Sequence, residues 1–129
     1  MPPIILIVED SPQMASNLEI ALGAVDGLDV RVAGSALEAI EILDSTVNSV
    51  SAVITDLEMP RMNGFELIRR MRALPRYSRT PIIVSSGSPD PESPARARAL
   101  GANAYFTKPY SPIELRRKLE LLLAETKNE

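Results

Sequence analysis

Short aliphatic runs alternate along the chain with longer stretches in which apolar residues recur every three to four positions. Ile4–Val8 is a continuous aliphatic run, the pattern of a strand buried on both faces. Asp29–Ala33 alternates, residues 52–55 are apolar and stop at Asp56, and 82–85 and Ala104–Thr107 complete a set of five predicted strands. Between them, Met14, Leu18, Ala21, Leu22 and Val25 share one helical face. Ser35-Ala36-Leu37-Glu38 has the form of a capping box, followed by an apolar stripe of Ala36, Ile40, Leu43 and Val47. Phe65, Ile68 and Met71 form a third stripe. Ser111-Pro112-Ile113-Glu114 is a second capping box with proline at the first helical position, and Leu115, Leu119, Leu122 and Leu123 follow it. The stretch 92–100 is the exception: Ala97 and Leu100 are its only apolar pair, and Pro89, Pro91 and Pro94 crowd its entrance, which predicts a short, weakly anchored helix. A strand–helix pair repeated five times implies an α/β fold, a parallel sheet with right-handed crossovers and helices on both faces. The polar residues after Ala124 are expected to fray, leaving a single domain over 1–129 with its core at about 4–124.

Composition narrows the chemistry. Hydrophobic residues at 45% and charged residues at 24% are ordinary for a globular domain of 129 residues and exclude a disordered or collagenous chain. Fourteen basic against 17 acidic residues leave a net charge of −3, a poor field for direct nucleic-acid binding. Without cysteine there is no disulfide, thiolate nucleophile or thiolate metal site, and without histidine there is no Ser-His or Cys-His catalysis. Any metal must take oxygen ligands, which favours a hard cation such as Mg2+. The early apolar run is too short for a signal peptide or a membrane span, so a cytoplasmic protein is expected.

Ligands of open parallel sheets bind at the carboxyl ends of the strands, near a reversal of strand order. Here those ends carry Glu9-Asp10, Asp56, Ser85-Ser86-Gly87 and Lys108-Pro109. In the order 2-1-3-4-5 they are neighbours, and with strands about 4.8 Å apart an extended Lys108 covers much of the gap to Asp56. Three converging carboxylates cannot all stay ionised unaided. A divalent cation removes the conflict, and metal, ammonium and hydroxyl around one free carboxylate make a site for a phosphoryl group. An aspartate so placed can act as nucleophile and form an acyl phosphate.

Several motifs carry a family resemblance. Asp56-Leu57-Glu58-Met59-Pro60-Arg61-Met62-Asn63-Gly64 resembles the D-x-x-M-P-x-M-x-G signature of response regulator receiver domains. Glu9-Asp10-Ser11 resembles that family's acidic pair, Ser86 in Pro81-Ile82-Ile83-Val84-Ser85-Ser86-Gly87 stands at its Thr/Ser position, and Gly101-Ala102-Asn103-Ala104-Tyr105-Phe106-Thr107-Lys108-Pro109-Tyr110 resembles its G-A-x-x-Y-x-x-K-P-[FY] segment. The resemblance spans residues 4 to about 124 and implies a flavodoxin-like (βα)5 sandwich of order 2-1-3-4-5. It implies Asp56 as phosphoacceptor, with Glu9, Asp10 and Asp56 holding Mg2+ directly or through water and the Glu58 backbone carbonyl as a further ligand. It also implies Lys108 against a phosphoryl oxygen, a cis Lys108–Pro109 bond, and a switch in which Ser86 swings in and Tyr105 follows. A sensor histidine kinase or histidine phosphotransfer protein would supply the phosphoryl group, self-catalysed transfer and slow hydrolysis would follow, and 92–125 would meet a downstream effector, in a monomer or weak dimer. The sequence departs from the family at Ser86-Gly87, where Thr-Ala is commoner, at Glu58 and Ser88, which lie where the acyl-phosphate lifetime is tuned, and at the three prolines before the fourth helix.

Taken singly, each residue has a plainer reading. Glu9-Asp10-Ser11 could cap a helix, Ser86 could be a satisfied strand-end hydroxyl, Lys108 a solvated lysine and Tyr105 a core ring. Arg96, Arg98, Arg116, Arg117 and Lys118 read as solvated faces, and Leu121, off the stripe of the last helix, as a partner contact or a scattered surface leucine. A phosphorylation-independent interaction module of the same fold is the alternative function. A haloacid-dehalogenase-like phosphatase is disfavoured by Glu58 at the second acidic position, and a flavin module by the lack of a hydroxyl-rich loop after the first strand. The chain reads equally as a stand-alone regulator or as part of a longer protein.

Overall fold

The computed structural model describes residues 2–24, 27–45 and 47–127. The elements are β1 (Ile4–Val8), α1 (Pro12–Gly23), β2 (Asp29–Ala33), α2 (Ala36–Ser45), β3 (Val50–Thr55), α3 (Gly64–Ala73), a 3-10 turn (Pro75–Tyr77), β4 (Ile82–Ser86), α4 (Ser93–Leu100), β5 (Ala104–Thr107) and α5 (Pro112–Lys127). The strands form one parallel sheet in the order β2-β1-β3-β4-β5. The architecture is the flavodoxin-like doubly wound sandwich expected from the sequence.

Alternation along each buried strand divides the core in two. Ile4, Leu6 and Val8 of β1, with Val53 of β3 and Ile82 and Val84 of β4, face α2, α3 and α4 through Leu43, Leu67, Ile68, Met71 and Ala97. Ile5, Ile7, Ala52, Ile54 and Ile83 face the other way, onto Leu18 and Leu22 of α1 and Leu115, Leu119 and Leu122 of α5. Continuous aliphatic runs in β1 and β4 thus follow from cover on both faces. β3 starts at Val50, two residues before the expected 52–55. The cause is a register shift against β1: Ile4 pairs with Val50 and Ile5 with Ala52, so Ser51 is an extra residue that breaks the apolar run.

The helix stripes need two corrections. α2 ends at Ser45, so Val47 falls beyond it and is 95% exposed rather than part of the stripe; Ala39 takes the core position instead. In α1 the buried set is Ala15, Leu18 and Leu22, and Val25 lies outside the described residues. α5 continues to Lys127, past the point at which the polar tail suggests fraying. Both serines of the expected capping boxes accept a backbone N–H three residues on, Ser35 from Glu38 at 3.1 Å and Ser111 from Glu114 at 3.3 Å. Arg96 is not simply solvated: its guanidinium lies 4.0 Å over the Phe65 ring, tying α4 to α3. Leu121 is 60% exposed, off the buried face of α5.

Tyr77 anchors the amino-terminal edge of the sheet. The ring is buried, and its hydroxyl donates to the Leu43 carbonyl at 2.9 Å and accepts the Val50 N–H at 3.4 Å. Tyr77→Phe leaves both backbone groups buried without that partner, so an expected loss of about 1–3 kcal/mol should appear as a lower urea midpoint at unchanged m-value.

Candidate functional site

The carboxyl ends of β1, β3 and β5 bring acid and base together. Glu9 follows the last residue of β1, Asp56 the last of β3, and Lys108 the last of β5. β1 and β3 are adjacent, and β4 separates β3 from β5, so Lys108 must reach across one strand. It does: Lys108 Nζ lies 2.8 Å from Glu9 Oε1 and 3.4 Å from Asp56 Oδ2. Glu9 and Asp56 are buried, at 7% and 6% exposure, whereas Asp10 is exposed. One carboxylate oxygen from each of Glu9, Asp10 and Asp56 falls within a group spanning 4.8 Å.

Backbone donors fix the carboxylates. Glu9 Oε2 accepts the Ser11 N–H at 3.2 Å, and Ser11 Oγ in turn caps α1 by accepting the Met14 N–H at 3.4 Å. Asp56 Oδ1 accepts from the N–H groups of Leu57, at 2.7 Å, and Glu58, at 3.3 Å, leaving Oδ2 toward Lys108. The capping reading of Glu9-Asp10-Ser11 and the clustered-acid reading are therefore both true, on different atoms.

Burial is the largest influence on Glu9 and lifts its pKa above the usual glutamate value, with the Asp56 charge adding to it against the pull of Lys108 and the Ser11 N–H. Burial also works against the Lys108 ammonium, but the hydrogen bond to Glu9 and the charges of Asp56 and Glu9 outweigh it and hold the lysine above its ordinary value. The upward shift at Glu9 is thus mainly loss of water, with repulsion from Asp56 a smaller part of it.

The donor set fits a hard dication. It is all oxygen, with two carboxylates fixed by backbone N–H groups and one exposed to solvent, so a cation there would keep waters.

Comparison with known proteins agrees with this geometry. The family model for the response regulator receiver domain matches residues 5–120. The chain belongs to the response regulator receiver domain family. It is 34% identical over 119 residues to chemotaxis protein CheY1 of Helicobacter pylori, covering 92% of this chain and 95% of that protein. Its structure matches that of the chemotaxis response regulator CheY4 of Vibrio cholerae with a TM-score of 0.83 at 27% identity, over 95% of this chain and 99% of the other. A part of the sensor histidine kinase TmoS of Ectopseudomonas mendocina is 32% identical over 122 residues, 95% of this chain but 12% of that protein. Receiver sequences of this kind therefore stand both alone and inside longer chains.

The structure also gives the surroundings of the remaining positions singled out from sequence. Ser86 is fully buried at the end of β4, and its Oγ accepts the Ser88 N–H at 3.1 Å. Tyr105 is half-buried in β5, packed against the α2–α3–α4 core. The Glu58 side chain is exposed beside Asp56. The Lys108–Pro109 bond is cis, as the family resemblance implies. Burial raises the Tyr110 hydroxyl pKa, and its ring meets Phe106 edge-on at 6.2 Å. Sequence reasoning did not find the Glu9–Lys108 contact, because a long lysine arriving among several acids has no preferred partner in the sequence pattern. It also missed Arg72 of α3, which donates to the carbonyls of Tyr77 at 2.8 Å and Gly101 at 2.7 Å and binds the turn after α4. No helix among the described residues is long and apolar enough to cross a membrane.

Proposed function

We propose that this receiver domain is a phosphorylation switch whose phosphoacceptor is Asp56. The observation that supports this best is the joining of three carboxylates within 4.8 Å with a lysine bonded to two of them. Glu9, Asp10 and Asp56, with the Glu58 backbone carbonyl, are the ligands for Mg2+. Bound there, the ion neutralises the acids and the charge that develops on a phosphoryl group. The chain's own groups do the rest. The backbone N–H groups of Leu57 and Glu58 hold Asp56 Oδ1, leaving one oxygen for attack on phosphorus. Lys108 leaves Glu9 for a phosphoryl oxygen, and the Ser86 hydroxyl takes another, with Tyr105 following inward.

The phosphodonor in this reading is a histidine kinase or histidine phosphotransfer protein, since this chain has no histidine to carry the group itself. The output surface lies within 92–125, and the domain acts as one unit over 1–129, in the cytoplasm, as a monomer or weak dimer. Autodephosphorylation is slow.

Titration with Mg2+, followed by thermal unfolding, tests the metal site. A cation that binds only the folded state at a hundredfold excess over its Kd stabilises it by about 2.7 kcal/mol, several degrees in Tm. Asp10→Asn and Asp56→Asn are expected to shrink that rise, and a chelator to reverse it. A Tm indifferent to Mg2+ would remove the metal from the mechanism.

A further inference from the structure

The path from Ser86 to α4 runs through hydroxyl groups rather than apolar packing. Ser88 donates its N–H to Ser86 Oγ at 3.1 Å, and its own Oγ lies 3.3 Å from Ser93 Oγ. Ser93 is the first residue of α4 and is 4% exposed. The loop between them closes on itself: the Asp90 N–H donates to Ser88 Oγ at 3.3 Å, the Glu92 N–H to Asp90 Oδ1 at 2.9 Å, and the Ser93 N–H to the Asp90 carbonyl at 3.2 Å.

The two ends of α4 are held very differently. At the carboxyl end Gly101, in the left-handed region at φ 119°, turns the chain, and its N–H and that of Ala102 satisfy the carbonyls of Arg98 and Ala97. Arg72 then clamps the Gly101 carbonyl with two donors, at 2.7 and 3.2 Å. At the amino end Glu92 supplies no side-chain cap, and the buried residues of the helix are Ser93 and Ala97 alone. The Ser93 hydroxyl does the work that an apolar residue or a cap does elsewhere. With Gly101 and Arg72 pinning the carboxyl end and Arg96 over Phe65 holding the middle, the first turn, tied by the hydroxyl pair, is the part of α4 able to shift.

We infer that Ser88 and Ser93 form a latch that holds the start of α4 in its present register while the Ser86 hydroxyl stays bonded to the Ser88 N–H, making both serines positioning residues for the switch. This rests on the proposed role of Asp56 and Ser86 and names the residues that carry the change onward. A turn of Ser86 toward a phosphorylated Asp56 takes the acceptor from the Ser88 N–H. Ser88 is then free to rotate, its Oγ leaves Ser93, and the amino end of α4 is released.

The test uses the full chain with acetyl phosphate and Mg2+, following intact mass and the amide spectra of α4. Wild-type protein is expected to gain one phosphoryl group and to shift the amides of 93–100. Ser93→Ala is expected to gain the group equally well, since Ser93 does not touch the acids. Its α4 amides should already lie toward the phosphorylated positions, so that the change on phosphorylation is roughly halved. Ser93→Thr, which keeps a hydroxyl, should restore the full change. Ser88→Ala, which keeps the N–H bond to Ser86 but removes the link to Ser93, should shift the α4 amides in the same way and replaces Ser93→Ala as the readout where the latter folds poorly. Full-sized α4 shifts in both alanine variants, with phosphorylation intact, would overturn the latch and leave the switch standing. No adduct on the wild-type protein would overturn both.

Discussion

Acetyl phosphate with Mg2+ is expected to add one phosphoryl group to this chain, visible by intact mass, base-labile and absent in Asp56→Asn. In the step, a carboxylate oxygen of Asp56 attacks phosphorus, the P–O bond to the acetyl group breaks, and acetate leaves with the electron pair. Asp56 is the acid best placed for it. Leu57 and Glu58 N–H groups fix Oδ1, and Oδ2 points to Lys108 at the carboxyl edge of the sheet. Glu9 is less suited: each acid has one oxygen on backbone N–H and the other on Lys108, but the lysine lies 2.8 Å from Glu9 and 3.4 Å from Asp56, so Asp56 Oδ2 is the more lightly held oxygen. Lys108→Ala is expected to slow phosphoryl uptake by about 10²–10³-fold, the usual effect of removing one charge-stabilising donor, and Lys108→Arg to recover only part, because a planar fork does not replace a compact ammonium. A chelator should abolish uptake. An adduct that survives in Asp56→Asn would place the nucleophile elsewhere and end the proposed mechanism.

How much of this was legible in the sequence depends on what each residue's neighbours demand. Strands buried on both faces need unbroken aliphatic runs, so β1, with Ile4 to Val8 all buried, could be read directly. β3 could not be read in full, because Ser51 is tolerated only at the register shift opposite Ile4 and Ile5, a feature of pairing rather than of periodicity. Val47 fits the apolar period of α2 but lies past its end, since period alone contains no stop signal and neither glycine nor proline marks that end. Ala15 was passed over because alanine carries little hydrophobic signal, yet it is 4% exposed and among the buried residues of α1.

The site was legible in its parts because strand ends of a doubly wound sheet must converge, which turns a list of polar residues into a neighbourhood. What sequence does not encode locally is which atom meets which. Lys108 lies nearer Glu9 than Asp56, the raised pKa falls on Glu9 through burial, and Ser86 is held by Ser88. Each of these depends on a single rotamer choice made by the folded surroundings.

Gly64→Ala is expected to damage both the fold and the site, although Gly64 carries no chemistry. A Cβ built there would lie 2.2 Å from the Asp56 carbonyl oxygen, 2.9 Å from Leu57 Cα and 3.0 Å from the Asp56 carbonyl carbon. All three are backbone, so no side chain can move aside. The close approach arises because the loop from Asp56 doubles back, with the Gly64 N–H donating to the Leu57 carbonyl at 2.9 Å just where Asn63 caps α3. The glycine closing the Met-Pro-x-Met-x-Gly motif is therefore required by space beside the reactive acid and not by a left-handed turn. Overpacking of this kind costs typically about 1–3 kcal/mol and occasionally more, and this contact belongs at the upper end because relief requires the segment carrying Asp56 to shift. The variant should show a lower urea midpoint and, under conditions where it remains folded, slower phosphoryl uptake at Asp56 than wild type. Gly23→Ala is the matched control: a Cβ there meets nothing within 4 Å, so stability should change by no more than about 1 kcal/mol. Equal midpoints for Gly64→Ala and wild type would mean that the loop holding Asp56 has room the present geometry does not allow.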